Sequence, residues 1–190
     1  MTRYEPAIDV DALTAIDVHV HIEIDAHGHA SLPSPLVDAA SKYFSTDGPR
    51  PDLDSIATYY RERSMAAVVF TVDATTRLGH PAISSAEIAE GAARNNDVLI
   101  PFGSVDPLQG ADALDAARRL VEDNGVRGFK FHPTVQGFDP SDERHYPLYA
   151  AMQQAGAVAL FHTGRLGSAP GCPAVSASGS GSPTPSCSTP

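Results

Sequence analysis

The chain of 190 residues has no tryptophan and only 7% aromatic residues, so any core it builds is mostly aliphatic. No apolar run approaches the roughly 18 residues that a membrane-spanning helix needs. Cations are scarce: 13 Lys and Arg stand against 23 Asp and Glu, for a formal charge of -10. Phosphate-rich surfaces are held by clustered cations, so nucleic acid and anionic membranes are not the expected partners. The opening stretch MTRYEPAIDVDALTAID lacks the apolar segment of a secretory signal, and the expected location is the cytoplasm. There is no GxxxxGK[ST] or GxGxxG loop to cradle a nucleotide phosphate, and no GxSxG elbow for a nucleophilic serine. Both cysteines, Cys172 and Cys187, fall near the C-terminus, so covalent cysteine chemistry has no candidate in the part that reads as folded.

Those cysteines belong to a stretch of different composition. From Gly164 to Pro190, 17 of 27 residues are Gly, Ser or Pro, and Arg165 is the only formally charged side chain. Such a segment has little apolar surface to offset its ordering entropy, so residues 164–190 are expected to form a disordered tail. A natural low-complexity end is one reading. The other, which the strand spacing favours, is a fold interrupted after Thr163 by a frameshift, a truncation or a misplaced gene end.

What is present is a repeat. Apolar runs at Ala15–His21, Ala66–Val72, Val98–Val105, Val126–Phe131 and Ala157–His162 read as buried strands. Helical signals fill the gaps. Asp52 is a candidate N-cap for a helix to about Ser64. Ser84-Ser85-Ala86-Glu87 forms a capping box, flanked by Ile83 and Ile88 as a hydrophobic staple. Ala113, Leu114, Ala117, Leu120 and Val121 make one apolar stripe, stopped by Gly125. Pro147 suits a first helical position before Leu148, Ala151, Met152 and Ala155, and Gly156 ends that helix.

From the second strand onward the starts recur at roughly 30 residues, the length of a βα unit. The first interval is longer by about 20 residues, and residues 22–50 read as an insertion after strand 1. Five βα units fit either a five-stranded doubly wound sheet or the first part of a TIM barrel, which needs about 250 residues when complete. The expected organisation is therefore 1–163 as the N-terminal part of a (β/α)8 barrel, followed by the tail.

In both architectures, functional groups gather at the carboxyl ends of the strands. Strand 1 ends in Asp17-Val18-His19-Val20-His21, and alternation places Asp17, His19 and His21 on one face. Two imidazoles spaced in this way can bind one metal, with zinc the usual choice. Strand 5 brings His162 to the same rim. Asp17 is a candidate hydrogen-bond partner for a ligand histidine. His27-Gly28-His29 repeats the His-x-His spacing, but in a loop without strand periodicity, and is read as a decoy.

The motifs Ile16-Asp17-Val18-His19-Val20-His21, Gly128-Phe129-Lys130-Phe131-His132-Pro133 and Leu160-Phe161-His162-Thr163-Gly164 resemble the metal-dependent amidohydrolase superfamily. The branch they look closest to contains aminocarboxymuconate-semialdehyde decarboxylase and related hydrolases. The resemblance implies a (β/α)8 barrel with a divalent metal, commonly zinc, and His19, His21 and His162 as its ligands. A lysine at the position of Lys130 is carbamylated in some members; here, binding a substrate carboxylate or pairing with Asp106 is the expected role. His132 reads as a rim residue that could line the substrate pocket. The resemblance also implies a further His and a proton-handling Asp beyond strand 5, which this sequence lacks. The expected function is hydrolysis of a small organic acid, amide or ester, with the 190-residue chain inactive by itself. The alternatives are non-oxidative decarboxylation of an aromatic or unsaturated acid, and a non-catalytic metal-binding remnant. Self-association through the open barrel edges is a further expectation.

Overall fold

The computed structural model describes residues 2–44, 48 and 50–163. The expected tail, with both cysteines, lies outside the described residues. Five strands, β1 (Ala15–His21), β2 (Met65–Phe70), β3 (Leu99–Gly103), β4 (Gly128–Phe131) and β5 (Val158–Phe161), form one sheet in the order β1-β2-β3-β4-β5. Every neighbouring pair is parallel. Among the described residues seven α-helices lie between them: α1 (Ser34–Phe44), α2 (Leu53–Arg61), α3 (Thr75–Leu78), α4 (Ser85–Arg94), α5 (Ala111–Glu122), α6 (Pro133–Gln136) and α7 (Tyr146–Gln154).

The sheet is curled into half a barrel. Adjacent strands lie about 4.8 Å apart, so a flat sheet would separate β1 from β5 by about 19 Å. Instead the rings of His19 and His162, at the ends of those two strands, have centroids 6.5 Å apart. Side-chain alternation follows the curl. Val68, Phe70 and Phe102 turn into the lumen and pack with Ile100 and Leu160. Ala67, Val69 and Leu99 turn outward onto Ile56, Tyr60, Ile88 and Ala92 of α2 and α4. Phe129 and Phe131 turn outward onto Ala113, Ala117 and Leu120 of α5 and Leu148 and Met152 of α7.

Local sequence explains the helix starts. Asp52 accepts from Ser55 N at 2.8 Å and Ser84 accepts from Glu87 N at 3.3 Å. The return half of the capping box is absent, because Glu87 Oε1 accepts from Ala26 N instead and ties the insertion to α4. Gly125 and Gly156 end α5 and α7 with positive φ (75° and 64°). The insertion is not all loop, since α1 lies in it, with Pro35 in its first turn where a missing N–H is harmless. Among the described residues, no helix is long and apolar enough to cross a membrane.

Candidate metal centre

The carboxyl end of β1 departs from a regular ladder. Its register with β2 shifts between Asp17 and Val20. There His19 N donates to the Asp17 carboxylate at 3.0 Å, so the side chain replaces a strand partner. Asp17 Oδ2 accepts from Tyr60 OH on α2 at 2.6 Å, and these two bonds hold its carboxyl below the usual range. Asp17 therefore braces the backbone of the His-x-His strand and bonds no histidine ring among its recorded partners. Tyr60 carries no sequence signal of this role, because its partner lies 43 residues away.

His19 and His21 bring their Nε2 atoms to 3.2 Å, with ring centroids 5.2 Å apart. A tetrahedral zinc with Zn–N bonds of about 2.0–2.1 Å sets two donor nitrogens about 3.3 Å apart and their rings roughly 5 Å apart. The pair fits that chemistry. Both rings are held below the ordinary imidazole pKa, His21 down to about 4, by loss of hydration at the barrel mouth first and then by neighbouring cationic groups. They are thus neutral near pH 7, as ligands must be. Phe70 of β2 braces them edge-on, at 5.4 Å and 4.9 Å between centroids.

His162 is placed differently. It lies flat on His132, with centroids 3.9 Å apart and planes 13° apart. Its centroid is 6.5 Å from that of His19, about 1 Å more than a shared tetrahedral ion gives. Among the described residues no group of three or more His, Cys, Asp or Glu is arranged to hold a metal ion. The structure therefore brings two of the three expected ligands together and holds the third histidine further away.

The family model for amidohydrolases matches residues 16–186. This chain belongs to the amidohydrolase family. The crystal structure of an amidohydrolase II is similar in fold, with a TM-score of 0.53 at 15% identity over 82% of this chain. The chain covers 52% of that amidohydrolase, so it spans about half its length. No curated protein matches the chain. Divalent metals are general in amidohydrolases, and the imidazole pair is where this chain's donors fit one.

Lys130 stands beside that pair. It is fully buried, with Nζ 3.3 Å from His19 Nε2 and 5.1 Å from the Phe70 ring centroid. Burial lowers its pKa. The expected pairing with Asp106 does not form: the Asp106 carboxylate accepts from Thr76 N at 2.7 Å and Leu108 N at 3.0 Å. Those two amides satisfy the acid at the rim and leave the lysine directed at the lumen.

His132 is buried under its stack, with Thr134 Oγ1 at 3.1 Å from Nδ1. Burial, then the neighbouring cationic groups, push its pKa down to about 3. The second His-x-His does not join the site. His29 donates to Pro81 O and His80 to Ala30 O, each at 2.8 Å, and the two rings stack at 5.0 Å. They clamp the insertion onto the loop after β2. Sequence reading also passed over Gln136, a fully buried amide that bonds Asp73 O, Val105 O and His132 N. It stitches together the loops following β2, β3 and β4, and no local pattern announces it.

Proposed function

We propose that this chain carries the first half of the active site of a metal-dependent hydrolase acting on a small organic acid, amide or ester. The observation that supports it is the 3.2 Å approach of the His19 and His21 Nε2 atoms at the barrel mouth. These two residues would hold a divalent ion, most naturally zinc, with His162 as a more distant third donor. The ion would supply Lewis acidity toward a substrate oxygen and an activated water. The chain's own residues orient and position. Asp17 and Tyr60 hold the strand so that both nitrogens face one point, and Phe70 keeps the rings upright. Lys130 offers a cationic head beside the pair, where a carboxylate or a developing oxyanion on the substrate would sit. His132 lines the pocket through its stack on His162.

Asp17 is the acid that bonds the strand of the pair, and its two oxygens are already engaged by Tyr60 and the His19 amide. Among the described residues no other carboxylate is hydrogen-bonded to His19 or His21, so nothing beside the pair is placed to handle the proton of an attacking water, and the chain alone should turn over little. Lys130 also favours a second reading, decarboxylation of an unsaturated or aromatic acid, because a buried cation at this point suits a substrate that arrives as an anion.

The test is calorimetric titration of zinc or cobalt into the 190-residue chain, followed by assays on ester, amide and carboxylic-acid panels. Saturable 1:1 binding that His21→Ala abolishes is expected, with negligible turnover. Robust turnover by this chain would overturn the half-site assignment, and absence of ion binding would remove the metal reading.

A further inference from the structure

Where the ladder between β3 and β4 stops, a side chain takes over. Their register pairs Phe102 with Gly128 and Gly103 with Phe129, so the next pair would be Ser104 with Lys130. The Ser104 amide does not extend the ladder. It donates to Ser85 Oγ on α4 at 2.9 Å, and that hydroxyl donates back to Ser104 O at 3.2 Å. Instead the Ser104 hydroxyl donates to Lys130 O at 3.1 Å and accepts from Asp73 N at 2.9 Å. Ser85, Ser104 and Lys130 are all buried.

The carbonyl so engaged has no substitute donor on its other side. Arg127 O and Phe131 O accept from Val158 N and His162 N, at 3.1 Å and 2.9 Å. Carbonyls alternate in direction along a strand, so Lys130 O is turned away from β5 and toward β3. With its proton on Lys130 O, the Ser104 hydroxyl is also no free nucleophile. We infer that Ser104 is a positioning residue for Lys130: its hydroxyl, standing in for the missing ladder amide, fixes the lysine backbone at the mouth and so sets where the ammonium meets an anionic group of the substrate.

A lysine head rides on a flexible four-carbon stem, so it is placed no better than its backbone. Here the head lies 3.3 Å from His19 Nε2 and 5.1 Å from the Phe70 ring centroid. No carboxylate holds it among the recorded ion pairs of the described residues, which leaves the backbone bond and the packing to do so. The Ser104 contacts lie within the sheet, among β2, β3, β4 and α4. The role assigned to Ser104 rests on the reading of Lys130 as the cation that receives the substrate's anionic end.

The chain has two lysines, Lys42 and Lys130, and Lys42 is exposed on α1. Nuclear magnetic resonance of the metal-free 190-residue chain with isotope-labelled lysine should show two ε-methylene signals. That of Lys130 is displaced by the Phe70 ring current and is assigned by its loss in Lys130→Met. Ser104→Ala should move it toward the position of Lys42, and acetate, which perturbs it in the unmodified chain, should bind several-fold more weakly. If that variant fails to fold, Ser104→Cys, whose thiol is only a weak donor, reads the same displacement. Ile56→Ala lowers stability through packing around α2 and should leave the signal in place. An unmoved Lys130 signal in the Ser104 variants, or an equal displacement in Ile56→Ala, would overturn the inference. A signal in the unmodified chain that ignores acetate would overturn the anion-binding reading of Lys130 instead, and the two failures are told apart because the first is read without any ligand.

Discussion

Two histidine pairs stand at the rim, and their chemistry is opposite. His19 and His21 meet nitrogen to nitrogen, at 3.2 Å, with rings tilted by 37°. His132 and His162 meet face to face, at 3.9 Å and 13°. The first arrangement points lone pairs at a common place and leaves the rings open to the lumen. The second hides ring faces from water and contributes packing. Residue type does not distinguish them; strand geometry does. His19 and His21 alternate along one strand, so their side chains run side by side. His132 and His162 follow neighbouring strands and are brought ring over ring by the parallel register that pairs Phe131 with Phe161.

The sharpest way to break this comparison is to remove one ring from each pair. His19→Ala should weaken zinc binding by more than about 100-fold, since a two-nitrogen site becomes a one-nitrogen site. Its effect on thermal stability should be small, because the ring is exposed. His162→Ala should weaken binding by about tenfold at most. Isothermal titration separates the two, and equal losses would mean that all three rings share the ion equally.

His132→Ala should show the reverse pattern. The variant loses a stacked aromatic contact and leaves a void at a buried position, costing about 2 kcal/mol in denaturant unfolding. Zinc affinity should change little. A large fall in affinity with unchanged stability would put His132 among the ligands and erase the distinction.

The strand and helix repeat was legible because periodicity and capping are local. β1 has the bounds its apolar run predicts, and Asp52 and Ser84 cap where their side chains imply. The runs around β3 and β4 are longer than the strands: Val105 and Val126 are buried outside them, and Val98 joins β2 only through its carbonyl, which accepts from Ala67 N at 2.9 Å. Apolarity reports burial, and only pairing makes a strand. The half-barrel was open to choice between two architectures until the curl that brings His19 near His162 decided it. The site was legible as far as one strand carries it. His19 and His21 are neighbours by alternation, whereas the His132–His162 stack, the Tyr60–Asp17 bond and the Gln136 bridge join residues far apart in the chain. Lys130 was located but its partner was not, since the amides that satisfy Asp106 belong to turns whose geometry the sequence does not display.

Lys130 sharpens the comparison from the side of charge. Its amine is fully buried against His19, and no carboxylate pairs with it among the recorded ion pairs of the described residues. Lys130→Met keeps the stem and removes the head, and it should raise stability by about 1.5 kcal/mol, because a desolvated cation no longer has to be accommodated. Zinc binding should tighten several-fold as a like charge leaves the pair. Binding of a carboxylate ligand should weaken in the same variant. Unchanged affinity for both ions would separate the lysine from the site.

The smallest effect concerns how the first pair is held. Tyr60→Phe deletes one hydroxyl and its 2.6 Å bond to Asp17, while the ring stays packed among Ile56, Val69 and Ile88. The loss should be about 1 kcal/mol in unfolding experiments, the usual net value of one such bond. The informative readout is zinc affinity. If Asp17 holds the His19 backbone so that both nitrogens face one point, freeing one carboxylate oxygen should weaken binding by a few-fold, on the order of the lower end for residues that support ligands. His132→Ala should not do this, although it costs more stability. A Tyr60→Phe variant with lowered stability and unaltered affinity would make the Tyr60–Asp17 bond a packing feature, and the pair's geometry would then rest on β1 and Phe70 alone.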